Sequence, residues 1–591
     1  APRLAPPADG GLRRGPGQVR VSGTADVTGG RAATLGPRRG AGAEGLAPRA
    51  ARRLAARRGL LLGALAVLAV LPGAAWIAQD RQAWLWDPAW YGEVSVELYY
   101  LLVHDPARWV YLMGTAFGLK APGIAWFGQG FVPLGRALGS VDAGLLVSIL
   151  LTQALTLAVV GRAILGLTRS GWIAAAGVLG VACGSLFIGL SHQYLAEPLQ
   201  TLAVAWFVLV AARAPGWHRP RILSHLLAAT VLAMLAKVTS PLYCAGPGLI
   251  ALWYAWRPKP AAAPGAWREP AASVPLAGGL VAGLGTAGWY VVNWRHITRH
   301  VAFSSSGSTA ALFGWYDTFG GSLAFWLREA RRAFLLPEVL VAVGLLLAAA
   351  LVLSVARRRG AATWGHATLL AVVAALEILV ALAVFATSPN RETRYLLPLA
   401  PHVAILVAWG LARVGRREVT ALFLALFLYQ GVALYGQALG LLAPRAEVSL
   451  WLLPFRRDAA DDALMEAILD RTCASEADAW RQNAVGVDLA WLNHNTLSYY
   501  AAKRRLDQDV TCRYRGLGFA AADPERAWEE MMALNPRYLI TAAPALFPSQ
   551  EDPHNRVSEA IVERARAGEF VGPEEVPGTG GRVHLYVRRG E

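Results

Sequence analysis

Asp87-Pro88-Ala89-Trp90-Tyr91-Gly92-Glu93-Val94-Ser95-Val96-Glu97 places three carboxylates and two aromatic rings within eleven residues, shortly after an apolar stretch at 59–79. Arg52-Arg53 and Arg57-Arg58 stand just ahead of that stretch. Arginines flanking a first span stay in the cytoplasm, so the acidic segment emerges on the opposite face. Repeating this reading down the chain decides the fold.

Of the 591 residues, 55% are hydrophobic and 16% charged; a soluble chain usually carries about 25% charged residues. The apolar excess comes in blocks of roughly 20 residues, enough to cross about 30 Å of hydrocarbon. The blocks fall at 59–79, 142–165, 171–190, 195–213, 221–239, 240–257, 273–293, 336–356, 364–386, 395–413 and 418–442. They predict a mainly α, polytopic membrane protein of about 11 transmembrane helices. With the N-terminus inside, the inner breaks hold Arg169; Arg213, Arg219 and Arg221; Arg257, Lys259 and Arg268; Arg357-Arg358-Arg359; and Arg413, Arg416 and Arg417. Dropping one span would invert every later loop and destroy the agreement with the positive-inside rule. The same loops and the N-terminal arginines account for the net charge of +16, so nucleic acid is not an expected partner.

Three regions follow. Residues 1–58, rich in Arg, Gly, Ala and Pro, read as a disordered basic cytoplasmic tail. Residues 59–445 form the transmembrane region, with large external loops at 80–141 and 294–335. An odd number of spans leaves 446–591 outside as a small soluble α/β domain, with helices at 458–471 and 523–534. Its short buried strands are Val485-Gly486-Val487, Tyr538-Leu539-Ile540 and Val583-His584-Leu585-Tyr586-Val587. Cys473 and Cys512 lie in this domain. In an oxidising exterior they would pair, contributing about 4 kcal/mol; otherwise they are two free thiols. Cys183 and Cys244 read as packing residues of the spans.

The external side collects the isolated ionisable groups. A helix over 89–101 would put Glu93 and Glu97 on one face. Asp87 before Pro88 then fits either the N-cap of that helix or a general base at the membrane surface. His104-Asp105-Pro106 and Lys120-Ala121-Pro122 follow in the same loop. His192, Glu197 and Lys237 sit at external span ends, where they either line a cavity or reach the interface. Lys120, Lys237, Arg391 and Arg394 are candidate phosphate ligands. A carboxylate and an imidazole beside a phosphate suit a divalent cation, so His192, Glu197, His104 and Asp105 are candidate metal or acceptor contacts. The sequence shows no internal repeat, Walker-type loop, GxGxxG fingerprint or zinc-spaced His/Cys cluster.

Asp87-x-x-x-Tyr91-x-Glu93-Val94-Ser95-x-Glu97 resembles the first periplasmic loop of the lipid A aminoarabinose transferases. More broadly it resembles the GT-C glycosyltransferases, including bacterial protein O-mannosyltransferase-like enzymes. Lys120-Ala121-Pro122 is similar to their Lys-Pro-Pro segment, and Ala196-Glu197-Pro198-Leu199 to the acidic start of their fourth span. Arg394-Tyr395-Leu396-Leu397-Pro398 is similar to their Arg-Tyr-Leu-Leu-Pro motif. The likeness runs in order over roughly 60–442. Two departures are Pro88, where the family often has a second acid, and Leu119, where the aminoarabinose transferases have an acid before the lysine. The resemblance implies a multi-pass enzyme of a bacterial inner membrane, with its C-terminal domain extracytoplasmic. It would move a sugar from a polyprenyl-phosphate donor to an extracytoplasmic lipid, glycan or protein, usually with inversion. It also implies Asp87 as the essential acid. The alternative from a different class is a transporter or flippase of a lipid-linked or anionic solute, which favours inverted repeats and midplane charges.

Overall fold

The structure, a computed structural model, describes residues 46–80, 82–257, 273–306, 310–357, 365–443, 445, 448–449, 451, 460–473, 482–517, 523–546 and 555–590. Residues 1–45, most of the expected tail, lie outside them. Helix α1 (Leu46–Ile77) takes in the remainder of that stretch as helix. The physical reason is composition: Ala, Arg and Leu are strong helix formers.

The apolar blocks are helical in the expected order. After α1, α2 (Trp86–His104) and α3 (Pro106–Thr115) come α4 (Val141–Thr168), α5 (Gly171–Ala182), α6 (Glu197–Arg213), α7 (Arg219–Ala236) and α8 (Pro241–Trp256). Then follow α9 (Ser273–Ser305), α10 (Phe319–Phe334), α11 (Pro337–Arg357), α12 (His366–Ala386), α13 (Ala400–Val414) and α14 (Arg417–Ala438). By length and composition, 7 of the described helical segments can cross a membrane, or 8 if the bent pair Gly171–Ala182 and Ser185–His192 forms one span. Helices α7, α8 and α9 occupy the positions of three further expected spans without meeting that test. The protein is a multi-pass membrane protein. Local chemistry sets the breaks. Ser140 and Ser170 cap α4 and α5 by accepting from Ala143 and Ile173 main-chain N–H groups. Gly415, at φ 69°, ends α13 in the left-handed conformation that glycine adopts freely.

Helix α2 differs from expectation. It starts at Trp86 rather than 89, its N-cap position is Leu85, and no side chain caps it. The capping role considered for Asp87 is therefore overturned, and its carboxylate is free to face elsewhere. Asp105 is the residue that caps, accepting from the Arg108 N–H at the start of α3.

The C-terminal segment contains a five-stranded sheet of order β2-β1-β3-β5-β4. Its strands are β1 (Gln482–Val485), β2 (Arg513–Gly516), β3 (Tyr538–Ala542), β4 (Phe570–Glu575) and β5 (Val583–Arg588). Strand β1 runs parallel to β2 and β3, and β5 antiparallel to β3 and β4. Around the sheet lie α15 (Ala460–Thr472), α16 (His494–Gln508), α17 (Pro524–Ala533) and α18 (Ser558–Ala567). A disulfide joins Cys473, just past α15, to Cys512, just before β2.

Helix α16 lies along α2. Trp84 stacks on Tyr499 with ring centres 4.9 Å apart, and Thr496 donates to the Trp84 carbonyl at 2.8 Å. Arg505 pairs with Glu97 at 2.7 Å, and Lys503 with Asp142 at 3.2 Å. Gly92 permits this approach: a Cβ there would meet the Tyr499 ring at 2.6 Å and the Trp84 ring at 2.9 Å.

Candidate active site

Five segments of the chain bring charged side chains to one point. Asp87, in the first turn of α2, accepts from Lys120 Nζ at 2.5 Å and from an Arg394 terminal nitrogen at 2.7 Å. Arg394 also places Nε 3.3 Å from Glu197 and 3.2 Å from Glu392, without a directed hydrogen bond from that nitrogen. Glu197, only 1% exposed at the start of α6, pairs with Lys237 at 2.5 Å. Three carboxylates (Asp87, Glu197, Glu392) thus face three cations (Lys120, Lys237, Arg394). Aromatic faces complete the cations' surroundings. Lys120 lies 4.7 Å from the centre of Trp90, Lys237 4.1 Å from Tyr395, and Arg394 5.6 Å from Trp451.

This network borders a cavity of about 1910 Å³. One part of its wall is apolar, with Leu242, Leu312, Phe313, Val384 and Phe385. Another part is polar and comes from α2, α16 and β2, with Glu93, Glu97, Asn495, Arg505, Arg513 and Arg515. Burial would raise the Asp87 carboxyl, but Lys120 and Arg394 reverse this and hold it well below the usual carboxylate range. It is therefore ionised at any working pH. Glu93 behaves oppositely. Burial, and then the charge of Glu97, push its carboxyl up to about 8 against the pull of Arg515. Two carboxyl groups on one helix thus have very different proton affinities in one cavity.

Other expected site residues lie elsewhere. Arg391 is 6% exposed and braces its own turn, donating to the carbonyls of Ser388 and Trp315 and to Ser322 Oγ; it does not line the cavity. His192 is buried, stacks on Trp76 at 3.8 Å and is likewise off the cavity wall. His104 stacks on Tyr100 at 4.3 Å on the exposed end of α2. Among the described residues no three His, Cys, Asp or Glu side chains converge as metal ligands. The Asp87 and Glu197 carboxylates instead share their oxygens with Lys120, Arg394 and Lys237. Residues that sequence reasoning did not single out are Glu392, which stands inside the Arg391–Arg394 segment, and Trp451, Arg505, Arg513 and Arg515, for which no local sequence signal exists.

No family model matches the chain, and no curated protein matches it significantly. Solved structures do. The crystal structure of ArnT from Cupriavidus metallidurans in the apo state superposes with TM-score 0.50 at 12% identity, over 88% of this chain and 96% of that one. The chain has the GT-C glycosyltransferase fold. The same ArnT bound to undecaprenyl phosphate matches at TM-score 0.49 and 14% identity, over 88% of this chain and 97% of that one. The mycobacterial arabinofuranosyltransferase AftD matches at TM-score 0.42 and 16% identity, over 87% of this chain and 40% of its own.

The raised Glu93 carboxyl has a measurable consequence. Between pH 4.5 and about 8 the unfolded chain has released this proton while the folded chain keeps it. Stability is therefore lost as pH rises through that window. In Glu93→Gln the loss is absent, so its Tm should gain on wild type steadily across the window and no further above it. A Tm difference that does not change with pH would show that Glu93 is ionised at neutral pH.

Proposed function

We propose that the protein is a membrane glycosyltransferase that moves a sugar from a polyprenyl-phosphate donor to an acceptor on the extracytoplasmic face. The observation that carries this reading is the meeting of Lys120 and Arg394 on Asp87, with Lys237 held next to them on Glu197, beside a cavity with an apolar stretch of wall. The cations suit a phosphate, the apolar wall suits the first isoprene units, and the carboxylate suits an attacking hydroxyl.

The cations and carboxylates balance as they stand, and buried charges persist only with such partners. A donor phosphodiester brings one more negative charge. It competes with Asp87 for Lys120 and Arg394, and the Arg394 Nε, which makes no directed hydrogen bond, offers it a further donor. As the phosphate takes these cations, Asp87 loses the partners that depress its proton affinity and becomes a better base. The acceptor oxygen then attacks the anomeric carbon while its proton passes to Asp87. The bond from that carbon to the phosphate oxygen breaks, and the electron pair leaves with the phosphate. The leaving phosphate gains negative charge, so Lys120, Lys237 and Arg394 bind it more strongly in the transition state than in the ground state. Attack opposite the leaving group inverts the anomeric centre.

The face follows from charge. Arginines crowd one set of loops, and the Cys473–Cys512 disulfide belongs to an oxidising compartment. With the N-terminus inside and residues 446–591 outside, a periplasm-active reporter fused after residue 591 should be active and one fused after residue 50 silent. Activity at both ends would contradict this orientation.

Asp87→Asn separates the chemistry from the binding. It keeps the size of the side chain, relieves none of the apolar packing, and removes the base. Transfer should fall by at least about 10²-fold, while undecaprenyl phosphate still binds. Full activity in this variant, with loss in Glu93→Gln, would move the base to Glu93.

A further inference from the structure

Within the transferase reading, the apolar part of the cavity wall belongs to the donor and the polar part is left for a second substrate. That wall is built largely by the C-terminal segment. Six consecutive residues, Thr511–Gly516, line it, together with Asn495, Ser498 and Arg505 of α16. The wall is held in place by the Arg505–Glu97 and Lys503–Asp142 ion pairs and by the stacking of Tyr499 on Trp84.

Two features of this wall are unexplained by the donor. The first is Trp86. Its backbone sits at φ 36°, a left-handed conformation that a bulky residue adopts only when its surroundings impose it. Its indole nitrogen is tied to Asp488 of the C-terminal segment at 2.9 Å, yet the residue remains 44% exposed. The tether thus holds an aromatic plane at the cavity, directly beside Asp87. The second is a pair of arginines on β2. Arg513 and Arg515 are exposed on the wall, and among the described residues neither has a carboxylate within ion-pair distance. Among the described residues the Arg515 side chain donates to Gln482 alone, at 3.2 Å. A planar guanidinium lining a cavity is suited to bidentate capture of a carboxylate or phosphate.

We infer that α2, α16 and β2 form the acceptor subsite, and that it takes an acidic saccharide, stacked on Trp86 with its anionic group held by Arg513 and Arg515. A sugar on the Trp86 ring has a hydroxyl next to Asp87. Glu93 and Asn495 offer hydrogen bonds to its other hydroxyls. By the helical rise, Glu93 lies about 9 Å along α2 from Asp87, far enough for the acceptor to span both. The aromatic platform favours a saccharide over a peptide, and the arginines favour an acidic one over a neutral one.

The test uses the full-length protein in detergent and two probes of equal chain length, dodecyl glucuronide and dodecyl glucoside, with undecaprenyl phosphate binding measured alongside. Wild type should bind the glucuronide about tenfold more tightly, the size expected of a charge-assisted bidentate contact. The Arg513→Gln, Arg515→Gln double variant should lose that preference, and the Lys, Lys version should keep most of it. Trp86→Ala should weaken both glycosides by about tenfold, and Trp86→Phe should restore most of the binding. Undecaprenyl phosphate binding should stay at the wild-type level in all of these variants. A wild type without the preference, or a preference that survives the double Gln variant, overturns the proposal. So does a preference that disappears in Lys120→Ala instead, or tighter binding of an acidic serine tripeptide than of the glucuronide. Arginine-dependent glucuronide binding by a protein that does not bind undecaprenyl phosphate would support the subsite and sink the donor reading, so the two fail separately.

Discussion

The ion pairs that join Asp87, Arg394, Glu197 and Lys237 determine how these helix ends can meet. Each group comes from a different part of the chain: the first turn of α2, the segment before α13, the start of α6 and the end of α7. A buried charge left without its partner is strongly destabilising, by about 3–5 kcal/mol. The helix ends must therefore assemble in the arrangement that satisfies all of them together. That requirement concentrates charge at one depth, beside the apolar wall. It also creates the conditions for function, since an anionic ligand can replace one ion pair with another without exposing a bare charge.

The C-terminal segment is more than an appended domain. Helix α16 lies on α2 because Gly92 leaves room for the Tyr499 ring. The contact continues through Thr496 to the Trp84 carbonyl and through Arg505 to Glu97. The disulfide between Cys473 and Cys512 fixes the entry to β2, whose residues form the cavity wall. Helix α2 and the C-terminal sheet are thereby held in register with each other.

Much of this was legible in the sequence, for physical reasons that differ between elements. Blocks of roughly 20 apolar residues can satisfy their backbone in lipid only as helices, so their order was readable. The buried run Tyr538-Leu539-Ile540 read as a strand because it is short and apolar on both faces, and it lies within β3. Strand β2, Arg-Tyr-Arg-Gly, was not legible: three of its four residues are exposed, and it pairs on one side only. Asp87, Lys120, Lys237, Glu197 and Arg394 stood out as isolated ionisable groups near spans, and the fold brings them together. Arg391 and His192 carried the same signal and serve packing instead. Sequence shows that a polar group sits at membrane depth, but not which way its side chain turns. The wall residues of α16 and β2 had no signal at all, because their position depends on a contact across some 400 residues.

The account turns on whether the Lys120–Asp87–Arg394 cluster receives a lipid phosphate. The most direct measurement is native mass spectrometry of the purified protein with undecaprenyl phosphate and with uncharged undecaprenol. The account predicts a retained one-to-one complex with the phosphate and little with the alcohol, and loss of that difference in a Lys120→Ala, Arg394→Ala double variant that still folds. Equal retention of the two lipids by wild type would show that only the isoprenoid chain is recognised, and would contradict the phosphate site.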